Sequence, residues 1–260
     1  MIGSSQNTDA VTKTVLYYDG RDLKSQEDSI IQEIPLKVLL NSRHVVSLAC
    51  TGVHTDELAV GWLRSEGYIQ EKDDIKEVRT NEGRTIVDII TRNPVYAPFS
   101  KTVTVTSSGA RSAAESASLE CIGESTLILS VSDIQRLMND FLGQCRLHDL
   151  TGGTHGAALA HRAGLIVVRE DIGRHNAIDM LGGYALLNNL ECNGMVIVRT
   201  GRASTEIVHK VWKLKVPILI SISVPTTSAI SEAETAGITL VGSVRRGNLK
   251  VYTHERRIHL

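Results

Sequence analysis

The C-terminal half of the sequence predicts an α/β fold, on three observations. From about residue 150, short apolar runs alternate with stretches in which apolar residues recur at helical spacing. Glycine, proline and small polar residues separate these runs. Helices between apolar strands imply a largely parallel sheet that is covered on both faces. The predicted strands are residues 164–169, 195–199, 218–223, 238–244 and 249–253, and the predicted helices are residues 176–190, 204–214 and 228–236.

The N-terminal half predicts a smaller α+β region. Thr55 is placed to cap a helix, acidic residues fill the first turn of that helix, and Gly67 suits its left-handed end. The polar start of the chain predicts disorder over residues 1–13. The other predicted elements are strands over residues 14–18 and 34–40, the helix over residues 55–67, and a hairpin of residues 75–80 and 85–91.

A run of small and polar residues separates the two regions. Residues 107–118 have no apolar period and predict a mobile loop that connects two domains. After this loop, residues 132–146 carry apolar side chains at the spacing of an amphipathic helix. The predicted division is a disordered N-terminus (1–13), a small α+β domain (14–106), the loop (107–118) and a larger α/β domain (119–260), with strands after the loop joining either domain.

Composition and charge exclude several classes of protein. The 260 residues carry a net charge of −1, so we expect neither a general polyanion binder nor a nucleic-acid partner. The sequence has no apolar run of about 18 residues and no export signal, which predicts a cytoplasmic protein without a membrane partner. Residues 243–260 are nevertheless locally basic and can meet phosphates.

The loops after the predicted strands are the best candidates for a binding site. In an open α/β sheet, ligands bind beyond the carboxyl ends of the strands, where loops lead into helix N-termini. Residues 169–175, 199–204 and 223–228 hold such positions and combine glycine, proline or hydroxyl side chains with arginines. They predict a site for a phosphate-bearing ligand. The alternative is that they are well-capped loops, with Asp171 and Arg174 paired for structure.

Two glycines precede a hydroxyl and an imidazole within residues 151–159. The glycines let the backbone approach a ligand closely, and His155 is predicted at the start of a short helix, where it binds a phosphate, stacks on a base or only caps the helix. His175 lies four residues before Asp179, and pairing along the helix is its alternative role. A hydrolase that uses His155 and Asp171 is a further alternative, but no nucleophile-elbow or nucleotide-loop pattern accompanies these residues.

The four cysteines show neither zinc-ligand pairs nor the density of a disulfide scaffold. Cys121 follows the polar loop, where a partner protein can reach a thiol. Cys50, Cys145 and Cys192 follow an apolar run or lie at predicted helix ends, so we expect packing roles for them. Cys121 is therefore the candidate reactive thiol, with packing as its alternative role.

Several short segments of the sequence are distinctive enough to indicate a protein family. They are TGGTHGAAL (151–159), EDIGRHNAID (170–179), GRASTE (201–206), residues 217–227 and ITLVGSVRRGNLKVYT (238–253), with upstream phrases at residues 34–36, Asn41, residues 56–63 and residues 66–67. In these segments the chain resembles the FdhD/NarQ family of formate dehydrogenase accessory proteins. The resemblance spans about residues 30–257.

The resemblance implies a sulfur carrier. In that family a cysteine desulfurase loads a persulfide onto a cysteine of a mobile loop. The sulfur then passes to the molybdenum of a bound bis(molybdopterin guanine dinucleotide) cofactor, which serves formate dehydrogenase and of which guanosine diphosphate is a partial mimic. The implied fold is a cytidine-deaminase-like three-layer α/β/α domain with a smaller N-terminal α+β domain, and the implied assembly is a homodimer.

The resemblance and the rule of strand ends together select candidate cofactor-binding residues. Deaminases of the related fold hold zinc through H-x-E and P-C-x-x-C, and neither pattern occurs, so no metal site is predicted. The resemblance places residues 243–248 in the site, where a plain β-turn with solvated arginines is the alternative. The candidates are Thr154, His155, Asp171, Gly173, Arg174, His175, Gly201, Arg202, Ser204, Thr226, Thr227, Ser243, Val244, Arg245, Arg246, Gly247 and Asn248.

The chain departs from the family at the sulfur-carrying loop. Many members carry Cys-x-x-Cys where this chain has residues 107–118, and Arg111 and Ala114 are the counterparts of the two cysteines. Either Cys121 has taken over the role of carrier, or the protein binds the cofactor and hands it over without sulfurating it. The acidic neighbours of Cys121 would disfavour its thiolate.

Overall fold

The computed structural model describes residues 10–93, 103–105 and 119–259. The predicted loop over residues 107–118, with Arg111 and Ala114, lies outside these ranges. The strands are β1 (Ala10–Tyr18), β2 (Leu23–Ile31), β3 (Ile34–Leu40), β4 (Arg43–Cys50), β5 (Ile75–Thr80), β6 (Ile86–Thr91), β7 (Val103–Val105), β8 (Leu129–Ser130), β9 (His155–His161), β10 (Gly164–Asp171), β11 (Val196–Arg199), β12 (Ile218–Ser221), β13 (Thr239–Arg245), β14 (Asn248–Val251) and β15 (Ile258–His259). The α-helices are α1 (Thr55–Ser65), α2 (Val131–Leu142), α3 (Arg146–Thr151), α4 (Arg174–Leu187), α5 (Thr205–Lys213) and α6 (Thr227–Ala236).

Six strands of the C-terminal half form one mixed sheet in the order β10-β9-β11-β12-β13-β14. β11 pairs with β12, and β12 with β13, in parallel, whereas the other neighbours are antiparallel. The predicted alternation of strands and helices is confirmed, but the sheet is not largely parallel. The difference arises at β9, where a short helix was predicted at His155. Small apolar side chains of β9 fill cores on both faces of the sheet, which favours a buried strand.

Helices cover both faces of this sheet. α4, α5 and α6 pack against one face, where Leu159, Ile197 and Leu219 lie. α2 packs against the other face, where Ala158 and Val198 lie. Neighbouring residues of a strand point to opposite faces, so β9 and β11 each contribute to both cores. This three-layer α/β/α arrangement confirms the predicted fold class.

The helix predicted over residues 132–146 is shorter in the structure. α2 begins after Ser130, whose Oγ accepts a hydrogen bond from the Asp133 N–H at 3.0 Å, and it ends at Leu142. In residues 10–93 and 119–259, no helix is both long and apolar enough to cross a membrane.

The first half of the chain forms a five-stranded sheet and a separate hairpin. The sheet order is β5-β6-β3-β4-β7, and the predicted hairpin of β5 and β6 is confirmed. β1 and β2 form the separate antiparallel hairpin. Residues 10–13 belong to β1, so the expectation of disorder is wrong for them, whereas residues 1–9 lie outside the described ranges.

α1 begins differently from the prediction and ends as predicted. Its N-cap is His54 in the left-handed conformation, without a side-chain capping bond, so the prediction that Thr55 caps the helix is wrong. Gly67 has a φ of +83° just beyond the helix, as the sequence predicted.

α1 and α4 join the two halves of the molecule. A Cβ atom on Gly61 would lie 1.7 Å from the carbonyl oxygen of Asp179, and one on Gly183 would lie 1.9 Å from that of Glu57. Glycine therefore permits the two backbones to touch. The Glu57 carboxylate accepts hydrogen bonds of 2.6 and 2.7 Å from Arg169 of β10. α4 thus packs against α1 on one side and against the six-stranded sheet on the other.

Candidate ligand-binding site at the strand ends

The strand register brings the predicted loops to one edge of the six-stranded sheet. Asp171 at the end of β10 pairs with His155 at the start of β9. Arg199 at the end of β11 pairs with Ala157 of β9 and with Ser221 at the end of β12. The loops that follow these strands therefore meet at one edge, where the sequence placed them.

Hydrogen bonds fix the loop after β11. Thr200 Oγ1 accepts a bond of 3.0 Å from the backbone of β9, and Ser221 Oγ donates to the carbonyl oxygen of Gly201 at 2.6 Å. Gly201 has a φ of +76°, which favours glycine. Arg202 follows at the exposed rim of the edge. The loop is therefore held rigidly, with one cation facing solvent.

The loop after β12 packs on the loop after β11. Ala203 and Pro225 form a parallel bridge, and the Thr226 N–H donates to the carbonyl oxygen of Ala203 at 3.0 Å. Thr226 also caps α6, because its Oγ1 accepts a bond of 3.2 Å from the Ala229 N–H. Thr226 therefore has a structural role, whereas Thr227, the first residue of α6, is exposed.

Asp171 organises the start of α4. Its buried carboxylate accepts hydrogen bonds from the Thr51 N–H at 2.9 Å, the Thr51 hydroxyl at 3.1 Å, the Gly173 N–H at 2.8 Å and Asn176 Nδ2 at 2.7 Å. Burial raises the pKa of Asp171, and these hydrogen bonds act against that shift. No ion pair joins Asp171 to Arg174, although both lie in the described part of the chain. Asp171 and Gly173 therefore position the helix.

His175 is buried in the first turn of α4. Its Nε2 lies 2.8 Å from Oε2 of Glu206, and its Nδ1 has no hydrogen-bond partner. Burial lowers the pKa of His175 to about 3, with further lowering by nearby cations. The alternative pairing with Asp179 is wrong, because Lys210 Nζ bonds both carboxylate oxygens of Asp179 at 2.7 and 2.9 Å.

Thr154 and His155 differ in their surroundings. Thr154 is buried, and its hydroxyl donates to Oε1 of Glu170 at 3.1 Å. His155 is half-buried at the start of β9. Burial lowers the pKa of His155, and the charges of Arg199 and Arg174 lower it further. His155 therefore faces the cationic edge, whereas Thr154 is engaged within the fold.

Arg199 begins one of the three predicted site loops, but it was not among the individual candidate residues. It is only 1% exposed; its Nη1 donates to the carbonyl oxygens of Gly201 at 3.4 Å and Arg202 at 2.8 Å. Its Nε and Nη2 have no partner. Burial lowers the pKa of Arg199 to about 9, and the charge of Arg174 contributes. The available signal was a single arginine at the end of an otherwise apolar strand.

The hairpin of β13 and β14 forms a second part of the site, where it faces α2 across a cleft of about 520 Å³. Arg245 and Asn248 pair across a turn in which Arg246 and Gly247 have φ values of 50° and 80°. Gln135 Nε2 of α2 donates to the carbonyl oxygen of Gly247 at 2.7 Å. This segment is thus a β-turn with two exposed arginines, which was the alternative to a binding role for residues 243–248. The turn also lines a cleft.

The two parts lie on opposite faces of the same sheet edge. Arg199 lies two residues after Ile197 on β11, so both side chains point to the same face of the sheet. Ile197 packs there against the helices α4 to α6. Val244 belongs to the core under α2. The Ser243 N–H donates to the carbonyl oxygen of Ser223 at 3.0 Å, which ties the hairpin to the loop after β12. The structure therefore brings the candidates to one edge, but not into one pocket.

Cys121 lies at the other edge of the sheet. Its Sγ would be 2.6 Å from a Cβ atom on Gly237, and the Ile122 N–H donates to the carbonyl oxygen of Ala236. Gly237 precedes β13, and the seven residues of that strand span about 20 Å before Arg245 is reached. Cys121 is exposed, but it is far from the candidate site.

The other three cysteines are buried, in agreement with the packing roles expected for them. Burial raises the pKa of Cys50 to about 12 and that of Cys145 to about 12, and it also raises the pKa of Cys192. In the part of the chain that the structure describes, no group of three or more His, Cys, Asp or Glu side chains is arranged to hold a metal ion.

The fold and the cationic strand edge define an α/β protein whose site suits an anionic ligand. The model of the FdhD/NarQ family matches residues 31–259, and the chain therefore belongs to the FdhD/NarQ family. The resemblance found in the sequence is confirmed.

Named relatives cover nearly the whole chain. A protein of Bacillus subtilis (strain 168) named sulfur carrier protein FdhD is 36% identical over 259 residues, which are 95% of this chain and 96% of that protein. A protein of Staphylococcus aureus (strain MRSA252) with the same name is 30% identical over 94% of each chain. A crystal structure from Desulfotalea psychrophila, provisionally named a formate dehydrogenase accessory protein, has a TM-score of 0.84 at 23% identity and covers 96% of this chain and 100% of its own.

Proposed function

We propose that this chain serves the maturation of formate dehydrogenase by binding the bis(molybdopterin guanine dinucleotide) form of the molybdenum cofactor as its substrate. The names of the relatives and of the structural neighbour support the accessory role. The observation that carries the proposal is the strand edge, where the buried Arg199 and the exposed Arg245 and Arg246 accompany two helix N-termini. Pyrophosphate groups are anions of the kind that such an edge binds.

The cleft beside α2 suits a guanine nucleotide end of the cofactor. Its volume of about 520 Å³ lies within the usual range for small-molecule sites. Leu142 and Val244 offer apolar walls to a base, and Arg245 and Arg246 offer charge to a diphosphate. Gly247 lets the backbone approach the ligand closely. The bound cofactor supplies the molybdenum centre, and these residues bind and orient it.

Calorimetry with guanosine diphosphate tests this proposal on the full chain. We expect weak binding, and we expect the double variant Arg245→Glu/Arg246→Glu to bind at least about tenfold more weakly, because charge-assisted contacts are removed and repulsion is added. The matched control is Lys72→Glu/Lys76→Glu, which changes the net charge equally at exposed positions of the N-terminal half. Equal loss in both variants, or equal affinity for adenosine diphosphate, would contradict a guanine-specific site.

Sulfur transfer is the second candidate function, and the exposure of Cys121 favours it. In this step the Cys121 thiolate attacks the outer sulfur of a cysteine desulfurase persulfide. A new S–S bond forms on Cys121, the old one breaks, and the desulfurase thiolate leaves. The distance along β13 means that the sulfur must then reach a cofactor at the opposite edge, through movement or through the second subunit of a homodimer. A cofactor chaperone without sulfur chemistry is the simpler alternative.

The remaining partners follow from the proposed role. Cysteine desulfurase is the sulfur donor in the second candidate function, and formate dehydrogenase receives the cofactor in both. We propose a cytoplasmic homodimer as the working form, because the cofactor has two guanine dinucleotide arms and each subunit offers one cleft beside α2.

A further inference from the structure

Buried polar atoms without partners are concentrated between the N-termini of α4 and α5. In the described part of the chain they include Nδ1 of His175, Nε and Nη2 of Arg199, and Oγ of Ser204. We propose that Arg199 and Ser204, with the imidazole of His155, form a pocket for one tetrahedral oxyanion, the phosphate group of a ligand. The proposal rests on the proposed function only for the identity of the molecule that carries the phosphate.

The guanidinium of Arg199 needs a counter-ion. Only its Nη1 is satisfied, by two backbone carbonyl oxygens, and within the described residues no carboxylate forms an ion pair with it. A buried charge without a hydrogen-bonded partner is costly, so such groups are paired in folded proteins. The carboxylates at the starts of α4 and α5 are otherwise engaged: Asp171 by four donors and Glu206 by His175. The remaining donors of Arg199 are therefore available to an anion.

Gly201 lies beside two of these basic groups. A Cβ atom placed on Gly201 would lie 3.4 Å from Nη2 of Arg199 and 3.4 Å from Nδ1 of His155, and no heavy atom of another residue beyond its chain neighbours would be closer. Both nitrogens therefore lie beside the same glycine, close enough together for one tetrahedral anion to contact both of them. The φ of +76° disfavours any side chain at this position.

The start of α5 adds further donors. Ser204 is the N-cap of this nine-residue helix, yet its hydroxyl makes no capping bond and is buried without a partner. Gly173, the N-cap residue of α4, likewise makes no side-chain capping bond. Backbone N–H groups and helix dipoles at both N-termini favour negative charge.

The electrostatics of the basic groups agree with this geometry. Arg199 and Arg174 each lower the pKa of His155 and of His175, in addition to the effect of burial. Lys210, which is bound to Asp179, lowers the pKa of His175 as well. Glu206 is the acidic side chain that contacts His175. A bound anion would relieve the mutual repulsion of these cations.

Thermal melts of the full chain with inorganic phosphate test the pocket. Phosphate should raise the melting temperature above that in chloride at equal ionic strength, because a ligand that binds only the folded state stabilises it. Arg199→Met should weaken phosphate binding at least about tenfold. Arg257→Met is the matched control: Arg257 is also buried with Nε and Nη2 unpartnered, but it bonds Gly237 and Thr239 at the opposite sheet edge.

Several outcomes would overturn the pocket. These are an unchanged phosphate response in Arg199→Met, an equal loss in Arg257→Met, or no response above chloride in the unaltered chain. If Arg199→Met does not melt cooperatively, Ser204→Ala replaces it and must weaken the response for the pocket to stand. Arg245→Glu/Arg246→Glu separates the two proposals: a kept phosphate response with lost guanosine diphosphate binding supports the pocket, whereas a lost phosphate response assigns the anion to the cleft.

Discussion

At the scale of single residues, His175 links the stability of the protein to pH. The pKa of a free imidazole is 6.5, and burial lowers it to about 3 in the folded chain. The folded state therefore binds fewer protons than the unfolded state between these values. The stabilisation that follows is complete above about pH 6.5 and is lost as the pH falls toward 3.

Replacing His175 with asparagine should reduce this dependence. From this group alone, the free energy of unfolding should fall by about 2 kcal/mol between pH 7 and pH 5 in the unaltered chain, because the unfolded imidazole becomes protonated. His175→Asn should lose correspondingly less over that interval. Urea unfolding at both pH values measures the difference, and His161→Asn, at an exposed imidazole of β9, is the control. Parallel losses in both variants and the unaltered chain would contradict the prediction.

Residues of the site were predictable where local sequence carried their role. His155, Gly201 and the arginines of the last hairpin stood in loops with helix-start or turn composition, and they lie at the strand edge. The burial of His175 and Arg199 was not predictable, because it depends on how α4 and α5 pack together. A basic side chain at the end of a strand or the start of a helix is usually solvated, and sequence alone does not separate that case from a buried charge.

At the scale of elements, the contact between α1 and α4 depends on the absence of two side chains. Gly61 and Gly183 each face a carbonyl oxygen of the other helix at a distance that no Cβ atom can accept. The backbone oxygens cannot rotate away as a side chain does. Any substitution must therefore separate the helices.

Gly61→Ala should destabilise the protein by about 3 kcal/mol, the upper end of the usual cost of overpacking, because the clash is with backbone. Gly194→Ala is the control, since a Cβ atom there meets nothing within 4 Å. Its effect should stay within about 0.5 kcal/mol. Chemical denaturation of both variants measures these values, and similar stabilities would show that the helices are not in close contact.

Elements were predictable where apolar periodicity was strong. The strands and helices from β10 to β14 follow the predicted order, with boundaries that differ by a few residues. β2 was missed because its residues are mostly polar and exposed, and it exists by pairing with β1. β9 was misread because glycines and small residues before it resemble a helix start, whereas pairing on both sides fixes it as a strand.

At the scale of the whole molecule, the candidate ligand site and the exposed thiol of Cys121 lie at opposite edges of the six-stranded sheet. The candidate site lies at the carboxyl ends of the central strands, and Cys121 lies beside the amino end of β13. Binding at one edge therefore needs no contribution from the other. This arrangement separates the proposed cofactor site from Cys121.

Cys121→Ser should bind guanosine diphosphate as tightly as the unaltered chain. Incubation with cysteine desulfurase and cysteine, followed by mass spectrometry, then tests the second function. A gain of one sulfur atom on the unaltered chain that is absent in Cys121→Ser and present in Cys192→Ser would assign the carrier role to Cys121. No gain on any variant would identify the chain as a cofactor binder alone. Weaker nucleotide binding in Cys121→Ser would contradict the separation of the two edges.

α4 is shared by two hydrophobic cores, so the N-terminal sheet cannot complete its folding early in synthesis. Met180 and Leu186 complete the core of the first sheet, whereas Ile178 and Leu181 complete that of the second. On the ribosome, the early strands emerge long before the helix that closes their core. The apolar face of the N-terminal sheet therefore stays incompletely covered until residues 174–187 have left the ribosome. During this interval the newly made chain is most prone to aggregation.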